Sequence, residues 1–110
     1  ARIDAVMQAP DTSNQYWVFS GDQYILIEVA DNDHTDKRIH GPQPLSNWPA
    51  FRDLPQFSAR IDAVMQAPDT SNQYWVFSGD QYILIEVADN DHTDKRVGGP
   101  QPLSGWLGGL

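Results

Sequence analysis

Two acidic runs, Asp31-Asn32-Asp33-His34-Thr35-Asp36 and its twin Asp89-Asn90-Asp91-His92-Thr93-Asp94, hold the side chains best suited to grip a cation. Their opening follows the oxygen-ligand spacing of an EF-hand calcium loop. Such a loop requires glycine at its sixth position, a bidentate glutamate at its twelfth, and a helix on each side. Asp36 and Asp94 occupy the sixth positions here, the twelfth carries no glutamate, and no helical pattern flanks either run. Each run therefore reads as a solvated acidic loop with weak surface affinity for cations.

Catalytic chemistry finds less to work with. The serines at 13, 20, 46, 58, 71, 78 and 104 fall in turns or strand ends, and none sits in a nucleophile-elbow context. Asp22 and Asp80 follow hairpin glycines, so turn formation accounts for them. Asp11, Asp69, Glu28 and Glu86 have no spacing that makes a paired-carboxylate site. Histidine is confined to His34, His40 and His92, and the absence of cysteine removes disulfides, thiolate metal sites and cysteine nucleophiles. The chain is expected to be non-enzymatic.

The elements that must position these groups come in duplicate. Residues 1–38 recur letter for letter as residues 59–96. A supersecondary unit of this size cannot bury its apolar faces alone, so copies must stack. Perfect identity points to a very recent duplication or to engineering. Within the first copy, residues 2–7 alternate in the strand manner and residues 9–14 form a loop. Gln15 to Ser20 and Gln23 to Val29 make a hairpin around Gly21-Asp22, with glycine placed where a type II′ turn needs positive φ. Residues 30–38 form a charged solvent-facing connection, and residues 38–42 a short fourth strand whose Pro42 suits an outer edge. A turn then leads into one short helical turn, with Ser46 or Asn47 as cap and Pro49 near its first position. Residues 1–52 make the first unit, 53–58 the linker, and 59–110 the second unit. In the second unit the strands recur at 61–65, 73–78, 81–87 and 96–100. Its tail departs from the first copy: Gly98 replaces His40, Gly105 replaces Asn47, and Trp106-Leu107-Gly108-Gly109-Leu110 replaces Trp48-Pro49-Ala50-Phe51-Arg52.

The hairpin strands are apolar on both faces. Tyr16 and Val18 oppose Trp17 and Phe19, and Ile25 and Ile27 oppose Leu26. Such strands belong to sheets covered on both sides. The aromatic set could line a sugar- or polyamine-binding groove, but at strand spacing it reads as core. Trp48 and Trp106, at the rim, fit exposed contacts or the hydrophobic closure of each unit. With 15 acidic against 7 basic residues the net charge is −8, which disfavours nucleic acid and anionic membranes as partners and allows a cationic small molecule. No apolar run is long enough to cross a bilayer and no secretory signal opens the chain, so the compartment stays open.

Ile-Asp-Ala-Val-Met, the Tyr-Trp-Val-Phe-Ser-Gly-Asp-Gln-Tyr hairpin and the Gly-Pro-Gln-Pro-Leu-Ser-Asn-Trp-Pro-Ala-Phe close occur in that order. This set resembles the hemopexin repeat, in the length found in the plant seed albumins of that fold. The resemblance covers residues 2–51 and 60–106 and implies an all-β protein with two four-stranded blades per chain. A four-bladed propeller would then be completed as a two-fold homodimer, the runner-up assembly being a larger or swapped oligomer.

The resemblance also implies a central tunnel lined by the innermost strands. A first ring of carbonyl oxygens would come from Asp4 and Asp62 and a second from Val6 and Val64, a cage suited to Ca²⁺ or Na⁺. Chloride would sit between them on the N–H groups of Ala5 and Ala63. Haem, which the resemblance raises, needs converging histidines, and His34, His40 and His92 read instead as surface residues, so no haem is expected. Two functional classes follow: a self-assembling half-propeller with an axial cation, or a binding module of the seed-albumin type taking a polyamine, haem or a protein partner.

Overall fold

The computed structural model describes residues 3–10, 14–30, 33, 35–68, 70, 72–88 and 93–103. It contains two four-stranded antiparallel sheets of the same topology. The first runs β1 (Ala5–Gln8), β2 (Gln15–Ser20), β3 (Gln23–Val29) and β4 (Asp36–Pro44), each strand beside the next in sequence. A 3₁₀ turn (Leu45–Asn47) and two short helices, α1 (Pro49–Arg52) and α2 (Pro55–Ala59), lead to the second sheet. That sheet comprises β5 (Ala63–Gln66), β6 (Gln73–Ser78), β7 (Gln81–Val87) and β8 (Asp94–Pro102).

The central hairpins fall on the residues their β-branched and aromatic composition indicates. Ser20 pairs with Gln23 around Gly21-Asp22, and Ser78 with Gln81 around Gly79-Asp80. Gly21 and Gly79 take φ of 58° and 61°, a region open to glycine without steric cost. The fourth strands are longer than the apolar pattern indicates. Residues 36–38, expected in the solvent connection, pair with β3, and Lys37 meets Glu28 across the strands at 3.3 Å. Near Pro42 the β3–β4 register shifts, and Gly41 (φ 96°) passes so close to Tyr24 that a Cβ there would lie 2.7 Å from its carbonyl oxygen. The joining segment is largely helical, because α2 occupies most of it. α1 begins at Pro49 as expected, but neither Ser46 nor Asn47 caps it: both lie in the 3₁₀ turn, and Trp48 holds the N-cap position without a side-chain hydrogen bond.

One core lies between the two sheets, and it uses opposite faces of the identical copies. The first sheet contributes Ala5, Met7, Trp17 and Phe19, whereas the second contributes Tyr74, Val76, Ile83 and Ile85, the counterparts of Tyr16, Val18, Ile25 and Ile27. Helices α1 and α2 close this core with Ala50, Phe51 and Phe57, joined by Leu45 and Trp48. The same letter therefore lives in two environments. Met7 is 2% exposed and Met65 44%, while Ile61 is fully buried and Ile3 67% exposed. Burial of such a side chain contributes about 1.5–3 kcal/mol; on the outer face of each sheet the counterparts are half-buried, so that contribution is realised only in part.

Candidate functional site

Strands β1 and β5 lie against each other, and they carry Ala5, Val6, Ala63 and Val64 of the six residues expected at the tunnel. Asp4 and Asp62 precede these strands and use their side chains locally. The Gly21 N–H donates to Asp4 Oδ2 at 2.7 Å, and the Gly79 N–H donates to Asp62 Oδ2 at 2.6 Å. Each carboxylate thus ties the start of its inner strand to the tip of its own hairpin. Arg60 Nε adds a 2.6 Å contact to Asp62 Oδ1. The Gly79 hydrogen bond, reinforced by Arg60, holds the Asp62 carboxyl below its ordinary value, while the nearby Asp4 charge pushes it the other way. Ala5 and Val6 pair with Phe19 and Val18, and Ala63 and Val64 with Phe77 and Val76.

Both carboxylates are committed to hairpin closure. Among the described residues no group of His, Cys, Asp or Glu is arranged to hold a metal through side chains. Main-chain oxygens beside two carboxylates suit a hard cation.

The acidic runs divide into different structures. Asp33 Oδ1 accepts from the N–H of Thr35 at 3.1 Å and from its hydroxyl at 2.9 Å, a local turn that lowers the Asp33 carboxyl. Asp36 and Asp94 then open edge strands. Residues 31, 32, 34 and 89–92, including His34 and His92, lie outside the described residues, as do 104–110 with Trp106.

Asp94 has a role that the sequence does not announce. Its Oδ2 accepts the Ala50 N–H at 2.7 Å, so the second sheet supplies the first-turn cap that α1 lacks from its own segment. Burial raises the Asp94 carboxyl, with the Ala50 hydrogen bond and the Arg52 charge acting against that rise. Arg96 grips Asp53 in a two-pronged pair, Nη1 to Oδ1 at 3.0 Å and Nη2 to Oδ2 at 3.2 Å. The Ser78 hydroxyl donates to the carbonyls of Arg60 (2.7 Å) and Gln56 (3.2 Å), and the Gln56 amide donates back to the Ser78 carbonyl. Tyr74 Oη donates to the Gln8 carbonyl at 2.9 Å and ties β6 of the second sheet to β1 of the first.

Trp48 is a core residue, which settles its two sequence readings in favour of closure. Its ring stacks on Phe51 at 5.4 Å and meets Trp17 (5.1 Å) and Tyr24 (5.6 Å) edge to face. Beside it opens a hollow of about 390 Å³ lined in part by Trp17, Tyr24, His40, Asn47, Trp48 and Asp94. Its polar atoms include the buried Trp48 indole N–H, which has no hydrogen-bond partner among the described residues. Burial raises the Tyr24 phenol despite its hydrogen bond with Asn47. His40 is exposed and 6.3 Å from the Tyr24 ring. Two of the residues that break the repeat, His40 and Asn47, therefore line one hollow. A second hollow of about 390 Å³ lies on the uncovered face of the first sheet, among Ile3, Val18, Ser20, Ile25, Ile27 and Asp36.

With this geometry the chain can be compared with known proteins. No family model matches it. It is similar to Albumin-2 of Pisum sativum, 28% identical over 93 residues that span 84% of this chain and 39% of that protein. Albumin-2 of Lathyrus sativus gives 27% identity over 93 residues, 84% of this chain and 40% of that one. Among solved structures, the seed albumin LS24 from Lathyrus sativus superposes with a TM-score of 0.81 at 24% identity, over 94% of this chain and 45% of that chain. The hemopexin fold protein CP4 from cow pea gives 0.80 at 19% identity, over 94% and 45%. The fold is that of the hemopexin-fold seed albumins. A plant lectin from Cicer arietinum with two metal binding sites also matches, with a TM-score of 0.82 at 21% identity over 96% of this chain and 46% of that one. The chain spans less than half the length of each of these proteins.

Proposed function

We propose that this chain is a non-enzymatic half-ring, engineered or very recently duplicated, that pairs with a second copy to complete a four-bladed propeller. A cation, Ca²⁺ or Na⁺, would occupy its axis. The observation that carries the reading is the inverse burial of identical faces. The outer face of the first sheet (Tyr16, Val18, Ile25, Ile27) is half-buried where the second sheet buries the same residues, and the second sheet leaves Trp75, Phe77, Tyr82 and Leu84 half-buried where the first packs their counterparts against the shared core. A two-fold pair would repeat the sheet-on-sheet part of the internal junction at two further places and bury both faces more fully. Coverage of slightly less than half of each solved relative supports the same count of blades. Paired chains would bring the carbonyls of Asp4 and Asp62 into a ring of four, the Val6 and Val64 carbonyls into a second ring, and the Ala5 and Ala63 N–H groups between them around chloride. The Cicer arietinum lectin with two metal binding sites supports an ion-holding role for this fold.

Light scattering tests the assembly: the expected particle is about 25 kDa, twice the 12.4 kDa chain, and a persistent monomer refutes it. Crystals grown with calcium test the ion, expected at about 2.3–2.6 Å from the axial carbonyl oxygens.

A binding-module reading is favoured by one observation, the convergence of His40 and Asn47 on the hollow beside Trp48. Its ligand would be a polyamine, haem or a protein partner, and calorimetry with spermine and hemin separates it from the assembly reading.

A further inference from the structure

On the second sheet, Ile61, Val76, Ile83 and Ile85 share one buried core with Phe51 and Phe57 of the α1–α2 segment. Three polar anchors secure that cover: Asp94 on the Ala50 N–H, Arg96 on the Asp53 carboxylate, and Ser78 on Gln56. The first sheet carries the same surface residue for residue, with Ile3, Val18, Ile25 and Ile27 as its floor and Asp36, Arg38 and Ser20 at the anchor positions. No described residue covers it, and a hollow remains there. The tail of the second copy does not encode the matching cover in its Leu107-Gly108-Gly109-Leu110, because glycine replaces Phe51 and leucine replaces Arg52.

We propose that the uncovered face of the first sheet is a docking site for a closing segment of the α1–α2 kind, delivered by another chain. The segment has the chemistry Trp-Pro-Ala-Phe-Arg-Asp followed by Pro-Gln-Phe. Its occupant is defined by charge as well as shape. Asp36 receives the N–H at the start of the helical turn, as Asp94 does, and lies within reach of the arginine that follows. Arg38 receives the aspartate, as Arg96 receives Asp53. The aromatic side chain enters the hollow between Val18 and Ile25. This rests on the half-ring reading and deepens it by naming the chemistry that the first sheet's outer face is shaped to receive.

The test uses a fluorescein-labelled peptide spanning residues 45–59 and the intact chain, read by anisotropy. Saturable one-to-one binding is expected. Arg38→Glu should weaken it about tenfold, the size of one lost charge-assisted contact, and a peptide carrying Asp53→Arg should restore it on that variant. Asp36→Asn, which keeps a hydrogen-bond acceptor, should weaken binding less than Asp36→Ala. Absent binding overturns the proposal, and so does binding indifferent to Arg38→Glu, which would place the peptide elsewhere. Light scattering on the same samples reports the ring separately. A monomer that binds the peptide retires the ring and keeps the docking site; a dimer that fails to bind it retires the docking site and keeps the ring.

Discussion

Truncating Ile61 and Ile3 to alanine, one at a time, should have very different costs although each sits in the same local sequence. Ile61 is fully buried, so Ile61→Ala loses its apolar contacts and leaves a cavity, a combination that costs about 2–5 kcal/mol. Ile3 is 67% exposed, so only the remaining third of its burial is at stake, about 0.5–1 kcal/mol on the same transfer scale. The gap corresponds to a melting difference of about 6 °C or more in a domain of this size, at about 4–8 °C per kcal/mol. Urea melts followed by tryptophan fluorescence at submicromolar protein should resolve it. Repeating them near 100 μM, on the order of the concentration that favours association, should raise the cost of Ile3→Ala toward that of Ile61→Ala. Equal costs in dilute solution would refute the assignment of inside and outside faces. A gap that ignores concentration would refute ring closure.

Asp94→Asn should flatten the stability profile on the mildly acidic side. A folded-state carboxyl raised above its ordinary 3.8 gives a contribution that is fully present below that value and lost as pH rises through the raised one. Asp62, lowered by the Gly79 N–H, acts in the opposite sense, so the variant should retain only the loss seen as pH falls below 3.8; urea midpoints between about pH 3 and 7 would check both signs. Gly99→Ala should destabilise by more than about 1 kcal/mol, because φ is +94° and the new Cβ would meet the Tyr82 carbonyl at 2.8 Å, whereas Gly98→His faces open space and should stay within about 0.5 kcal/mol. Trp48→Ala should cost about 3–5 kcal/mol. Trp48→Phe should cost clearly less, since it also removes a buried, unpartnered N–H; thermal melts of the two variants give the comparison.

The hairpins were legible in the sequence because both of their faces are apolar and their turns carry glycine at the required position. The fourth strands were legible only in part. At an outer edge one face meets water, so residues 36–38 show charge instead of alternation, and the Lys37–Glu28 pair across the strands is visible only in three dimensions. Helix α2 escaped notice because Pro55-Gln56-Phe57-Ser58-Ala59 is too short to display a helical period; its single cue is a proline at the first position. Strands β1 and β5 are neighbours in space, and the use of Asp4 and Asp62 to bind hairpin tips has no signature of its own in the sequence. Asp94 was beyond reach for a stricter reason. It is the same letter in the same context as Asp36, and only the arrival of α1 makes one a half-buried helix cap while the other stays exposed.

The two outer faces of this chain are unlike each other, one walled by Ile25 and Ile27 and the other by Trp75 and Phe77. A body with unlike ends has a direction, as a magnet or a tape does. Any association that copies the internal junction must run nose to tail, and every added unit regenerates the same pair of free ends. Nothing in the junction itself terminates such growth; termination comes when the turn from sheet to sheet brings the last end round to the first. The angle of that turn, set at the α1–α2 corner, therefore decides whether such an association would close into a circlet or run on as an open spiral.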